Sequence, residues 1–235
     1  MRVKLVISYD GSCFYGSQFQ KDKQTVLGEL QKVFDNIKIK SKIIASGRTD
    51  KGVHASHQVC HIDLPAFWTD IKKLKYVLNK MLPDSIHVKK ITKVDEKFHA
   101  RYSAKKRVYR YIISTKEKNP FESKYVSFIN EVEFDSLSKN IKIFEGEFDF
   151  SYFIKLGSQT KTNIRTIYKT LAYKHKDYIV LYFMANGFLR TQIRYMVSAL
   201  LNLEDYKIKE MLTLKKRYKI KPAPPNGLYL AKIVY

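Results

Sequence analysis

Apolar residues recur at every second position in Val3, Leu5, Ile7 and Tyr9, then at every third or fourth in Val26, Leu30, Val33, Phe34 and Ile37. The first period is that of a half-buried strand and the second that of an amphipathic helix behind a Thr25 cap. This switch constrains the fold more than any other feature, because it repeats along the chain. A strand near 42–46 leads to a loop. Beyond the loop, Cys60, Ile62 and Leu64 share one strand face, and His57, Val59, His61 and Asp63 the other. Ile71, Leu74, Leu78 and Met81 predict a second helix, stopped by Pro83, and "SIHVKKITKV" predicts a further strand.

The mixture returns after the basic stretch "FHARYSAKKR". A strand in "RVYRYIIST" is followed by a helix through Leu137, Ile141 and Phe144, and by strands in "IRTIYKTLAY" and "YIVLYFMAN". A helix with Leu189, Ile193, Met196, Val197, Leu200 and Leu201 on one face comes next. A short helix near 207–214 and a strand in "GLYLAKIVY" close the chain. The expected class is α+β: two similar domains, 1–104 and 105–235, with abutting mixed or antiparallel sheets and a central cleft. The loop at 46–58 would lie in the first domain, and the second would complete the cleft.

Charge narrows the function. The 235 residues hold 44 Lys plus Arg against 22 Asp plus Glu, a formal net charge of +22, which points to a polyanionic partner. Seventeen tyrosines and fourteen phenylalanines supply rings for the core and for stacking on unpaired bases. The amino-terminal apolar run is too short for a signal peptide and no window approaches a membrane-spanning length, so a cytoplasmic protein without membrane contact is expected. Cys13 and Cys60 fit neither a metal knuckle nor a disulfide framework, and reduced thiols are expected.

Chemistry concentrates in "SGRTDKGVHASHQ", residues 46–58, where Gly47 and Gly52 flank Asp50. Aspartate ordinarily carries its charge at neutral pH, so as a nucleophile or base it needs only positioning. Arg48, two residues earlier, is suited to hold it through charge-assisted hydrogen bonds. The same residues also describe an ordinary turn, with Asp50 capping a backbone amide and pairing with Arg48 at the surface. His54, His57 and His61 raise a metal reading, but a strand puts His57 and His61 on one face and leaves His54 in the loop; no metal is expected. No dinucleotide or Walker fingerprint is present, and no cofactor is expected.

This loop closely resembles the signature of the TruA-type tRNA pseudouridine synthases. The likeness continues in order through "YDGSCFYGSQ", "LPDSI", "FHARYSAKKRVYRY", "FDFSYF", "NGFLRTQIRYMV" and "APPNGLYLAKIVY". The resemblance implies an isomerase that detaches uracil from ribose and rejoins it through carbon, at positions 38 to 40 of the tRNA anticodon arm, working as a homodimer. It assigns the essential aspartate to Asp50, its arginine neighbour to Arg48, the active-site tyrosine to Tyr109 and the later basic residue to Arg194. Tyr109 and Tyr111 share a strand face, so either ring can stack on an extruded base; only the motif selects Tyr109. Arg190 and Arg194 are expected one helical turn apart near a helix start, where anions are favoured. Val53 and Phe188 are candidates for an apolar wall that excludes water.

Departures are local. Ser17 stands where the family usually carries tryptophan, Lys51 where it has alanine, Ser198 where it has glycine, and Thr191 and Gln192 where it has a histidine-methionine pair. The segment after Leu203 is short. Lys89–Lys90, Lys105–Arg107 and Lys215–Arg217 are basic clusters suited to an RNA path or to a solvated face. A protein that only binds RNA would share the charge and the tyrosines. A nuclease or glycosidase would call for a metal cluster or a second nearby carboxylate, and the loop offers neither.

Overall fold

The structure is a computed structural model that describes residues 1–155, 157 and 161–235. Met1–Lys105 with Tyr229–Tyr235 form one compact unit, and Lys106–Leu228 form the other.

The first unit runs β1 (Arg2–Tyr9), α1 (Val26–Asn36), β2 (Ile44–Ala45), β3 (His54–Asp63), α2 (Ile71–Met81) and β4 (Ile86–Lys93). Alternation makes β1 its centre. Val3, Leu5, Ile7 and Tyr9 are buried, and the strand pairs antiparallel with β3 on one side (Leu5↔Cys60) and β4 on the other (Leu5↔Ile91). The two helices bury the residues their period marks, Leu30, Val33 and Phe34 on α1, Leu74 and Leu78 on α2. Thr25 Oγ1 accepts the Gly28 amide at 3.2 Å and Asp70 Oδ1 the Lys73 amide at 2.9 Å, which caps both helix starts.

On β3 the two faces do not divide into buried and solvated. Val59 and His61 are buried along with Cys60 and Ile62, because residues 98–100 cover that side. His61 Nδ1 accepts the Ala100 amide at 3.1 Å, and its ring lies 4.8 Å from His99 and 6.2 Å from Phe98. Burial first, then the neighbouring His99 and Arg2, holds the His61 pKa down at about 4, against a smaller opposing pull from Asp63. The folded value lies below that of the unfolded chain, so protonation favours unfolding. The contribution is complete above about pH 6.5 and is lost as the pH falls toward 4. Urea unfolding near pH 7.5 and near pH 4.5 is expected to differ by roughly 2–3 kcal/mol from this group. His61→Gln is expected to lack that share; an identical pH dependence in the variant would refute the assignment.

The second unit runs β5 (Lys106–Ser114), β6 (Ser127–Phe128), α3 (Phe134–Asn140), β7 (Gly146–Asp149), β8 (Ile164–His175), β9 (Tyr178–Ala185), α4 (Gln192–Asn202) and α5 (Asp205–Leu212). Its strands lie in the order β5-β9-β8-β7, all antiparallel, with β6 parallel on β5. Phe144, Phe150 and Phe153 are fully buried in edge-to-face contacts at 5.5 and 5.9 Å. The apolar spacing of Leu137, Ile141 and Phe144 suggests one helix, but α3 stops at Asn140 and a 3-10 turn takes Ile141–Phe144. Strand β8 accounts for the tightening. Thr170 Oγ1 donates to the Ile141 carbonyl at 3.0 Å, while its amide donates to Glu145 Oε1 at 2.6 Å.

The final strand, β10 (Leu228–Val234), changes the domain bounds. A division into 1–104 and 105–235 leaves it in the second half, whereas Tyr229–Tyr235 belongs to the first unit. Parallel pairing with β3 (Tyr229↔His54, Leu230↔Ala55) is the cause, reinforced by hydrogen bonds from the Lys105 amide to the Val234 carbonyl and from the Tyr235 hydroxyl to the Ala100 carbonyl, each 2.8 Å.

Candidate active site

Asp50 sits half-buried on a turn between β2 and β3, flanked by exposed Arg48 and Lys51. Gly52, at φ +79°, lets the chain reverse, and the Val53 amide donates to the Asp50 carbonyl at 3.1 Å to close the turn. Gly47 does not need its freedom: its φ is not in the left-handed region and a Cβ there would meet nothing within 4 Å.

What holds the turn is a set of buried polar groups behind it. The Thr49 amide donates to Ser17 Oγ at 2.8 Å, and the Ser17 amide donates back to the Thr49 carbonyl at 3.1 Å. Thr49 Oγ1 lies 2.8 Å from the Tyr9 hydroxyl. On the other arm, Ser46 Oγ donates to Gln58 Oε1 at 2.6 Å, and Gln58 Nε2 donates to the Gly47 carbonyl at 2.9 Å. Burial raises the Tyr9 phenol above its ordinary range despite these hydrogen bonds, which keeps it a neutral structural group. The residue just before the aspartate is therefore clamped on both its backbone and its side chain. In the sequence Ser17 stands out only as a departure from the family and Tyr9 only as a strand residue. Nothing in the local pattern pairs residue 17 with residue 49, and only the quoted Ser46 and Gln58 lay within reach of a motif.

The three histidines go to separate partners. His54 Nδ1 accepts the Gly11 amide at 3.0 Å, with Asp10 Oδ1 at 3.3 Å, and its ring stacks on Tyr229 at 4.7 Å. His57 is exposed with Lys89 Nζ 3.1 Å from Nε2, and His61 is committed to Ala100. Among the described residues no three His, Cys, Asp or Glu side chains gather around a metal-sized space. None of the described helices is long and apolar enough to cross a membrane.

In the second unit the structure separates the two tyrosines that the strand period leaves equivalent. Tyr111 is fully buried, its hydroxyl 2.7 Å from Ser127 Oγ and donating to the Pro224 carbonyl at 2.9 Å, and burial pushes its phenol up to about 12. Tyr109 is half-buried, and Phe188 meets its ring edge-to-face at 5.3 Å. Only Tyr109 presents surface to a ligand. Val53 is buried.

Arg194 lies in the first turn of α4, where its Nε donates to the Ala223 carbonyl at 2.6 Å and its own carbonyl accepts the Ala223 amide at 2.9 Å. Arg190 is not on that helix. It precedes Thr191, which takes a left-handed backbone at φ +66°, so the expected one-turn spacing of the two arginines does not hold. Gln192 is fully buried, and its Oε1 accepts the Leu189 amide at 2.8 Å; at this position the side chain secures the helix start and faces away from solvent.

A family model described as tRNA pseudouridine synthase matches residues 5–103 and 141–235. A Campylobacter jejuni protein named tRNA pseudouridine synthase A is 39% identical over 240 residues, covering 100% of both chains. Proteins of the same name from Helicobacter hepaticus and a Thermotoga species are 40% and 38% identical, over 99% and 100% of this chain and 98% and 99% of theirs. A family match that includes the clamped Asp50 turn and relatives aligned end to end place this chain in the tRNA pseudouridine synthase family.

Proposed function

We propose that the protein isomerises uridines at positions 38 to 40 of the tRNA anticodon arm to pseudouridine, as a cytoplasmic homodimer. The observation that carries this reading is the half-buried Asp50 on a glycine turn anchored from behind by Thr49, Ser17 and Tyr9. A carboxylate held there needs no activating partner to act as nucleophile or base.

The reacting nucleotide is swung out of the stacked arm at a cost of a few kcal/mol. Stacking on Tyr109, on the order of 1–3 kcal/mol, and phosphate contacts by basic side chains offset that cost. Asp50 then attacks C1′ or removes the C2′ proton, and the N1–C1′ bond breaks. After the base rotates, C5 bonds to C1′, which either displaces the Asp50 carboxylate from C1′ or goes with return of the proton to C2′; the C5 proton leaves and N1 gains one, so nothing is oxidised or hydrolysed overall. Arg48 positions the carboxylate, Arg194 binds substrate charge, and Phe188 beside Tyr109 helps keep water from the reactive sugar. No step calls for a metal or cofactor.

Incubating the purified protein with unmodified tRNA and mapping pseudouridine by mass spectrometry of nuclease fragments tests the site assignment. Product within positions 38 to 40 is the expected result. Product confined to other parts of the tRNA, or none despite bound tRNA, refutes it.

A further inference from the structure

The second unit carries an open cavity of about 290 Å³ lined by Tyr152, Tyr195, Arg217, Tyr218, Lys219 and Ile220, none of which is assigned to the reaction. Three tyrosines and two cations around one space is an unusual lining for a hole left by imperfect packing, because such holes are apolar. Two of the rings are pinned from outside. The Tyr218 hydroxyl donates to Glu210 Oε2 at 2.6 Å, and the Tyr152 hydroxyl donates to the Leu214 carbonyl at 3.4 Å. The positive charge is likewise gathered against ring faces. Arg217 lies 5.9 Å from the Tyr152 centroid, and Lys216 and Lys207 lie 5.1 and 5.9 Å from that of Tyr218. Tyr206, 56% exposed, extends the aromatic surface with Lys207 at 5.4 Å from its ring.

Fixed aromatic faces interleaved with cations form the lining that binds single-stranded nucleic acid, the rings taking base faces and the cations phosphates. The volume accommodates one nucleobase with part of its sugar. Helix α4 supplies Arg194 and Tyr195 in succession, with Cα atoms about 3.8 Å apart, so this cavity opens beside the helix start that carries Arg194. We propose that it is a holding site for an unpaired tRNA nucleotide other than the one that reacts. The base stacks on the tyrosines, and Arg217 and Lys219 contact the flanking phosphates. This rests on tRNA being the substrate, and it gives the segment after α5 an RNA-binding role despite its shortness.

The test reads binding, so it does not depend on turnover. Filter binding of unmodified tRNA is measured over a salt series for the native protein, Tyr152→Leu and Arg217→Gln/Lys219→Gln. The last two positions are exposed, so that variant is expected to fold. Removing both cations is expected to raise Kd about tenfold and to flatten the log–log salt slope by roughly 1.4, the value for two single-strand phosphate contacts. Tyr152→Leu is expected to raise Kd severalfold with an unchanged slope, and kcat at saturating tRNA is expected to stay within about threefold in both. A Kd within twofold of native together with an unchanged slope for the double variant overturns the proposal. So does competition in which uridine monophosphate alone removes the Tyr152-dependent affinity, since the site would then take a free nucleotide. Failure of the Asp50 chemistry would instead appear as lost product with these binding effects intact.

Discussion

Replacing Asp50 with asparagine is expected to lower pseudouridine formation by a factor on the order of 10⁴ or more, equivalent to about 5.4 kcal/mol of transition-state stabilisation. Asparagine matches aspartate in size, and the turn is closed by the Asp50 backbone carbonyl and anchored through Thr49, not through the carboxylate alone. Position is therefore kept while the nucleophile or base is removed. The amide can neither attack C1′ nor take a C2′ proton at a useful rate. Affinity for tRNA is expected to change by no more than a few fold. Single-turnover assays with saturating protein separate the two quantities; turnover within tenfold of native would move catalysis to another group.

Gly11→Ala is expected to be the most damaging small substitution in the first unit, although residue 11 is no part of the catalytic set. A Cβ at Gly11 would stand 2.0 Å from the Val53 carbonyl oxygen and 2.9 Å from the His54 amide nitrogen. Both are backbone atoms of the segment that joins the Asp50 turn to β3, so no side-chain rotation relieves the clash. The shift would also strain the bond from the Gly11 amide to His54 Nδ1. Overpacking and a weakened buried hydrogen bond together are expected to cost about 3 kcal/mol or more. For a chain of this length that corresponds to a Tm lowered by roughly 6–12 °C. Because an ångström of misplacement can cost about 10²-fold in rate, kcat is expected to fall well beyond what the lost stability explains. Gly47→Ala, in open space on the same loop, is the control and is expected to stay within about 0.5 kcal/mol of native. Equal melting temperatures for the two variants would contradict this account.

The two experiments separate what a motif reveals from what packing reveals. Asp50 stands out in the sequence because glycines and an arginine crowd around a lone acid. Gly11 is read only as part of a motif block; its importance comes from Val53 and His54, more than forty positions later. Ser17 is similar: as a departure from a family tryptophan it looks like a loss, yet it makes two hydrogen bonds to Thr49. Gln192 likewise reads as an altered RNA contact until its Oε1 is seen on the Leu189 amide.

By itself the sequence determined the α+β class, the spans of α1, α2 and most strands, and the loop that carries the acid. Those properties depend on the period of side chains along a single segment, which neighbouring residues record directly. Tertiary structure alone decided that Tyr111 is sealed while Tyr109 keeps a surface, that Arg190 lies outside α4, and that the closing strand joins β3. Each of these depends on which distant segment arrives alongside, a choice set by burial and hydrogen bonding between residues far apart in the chain.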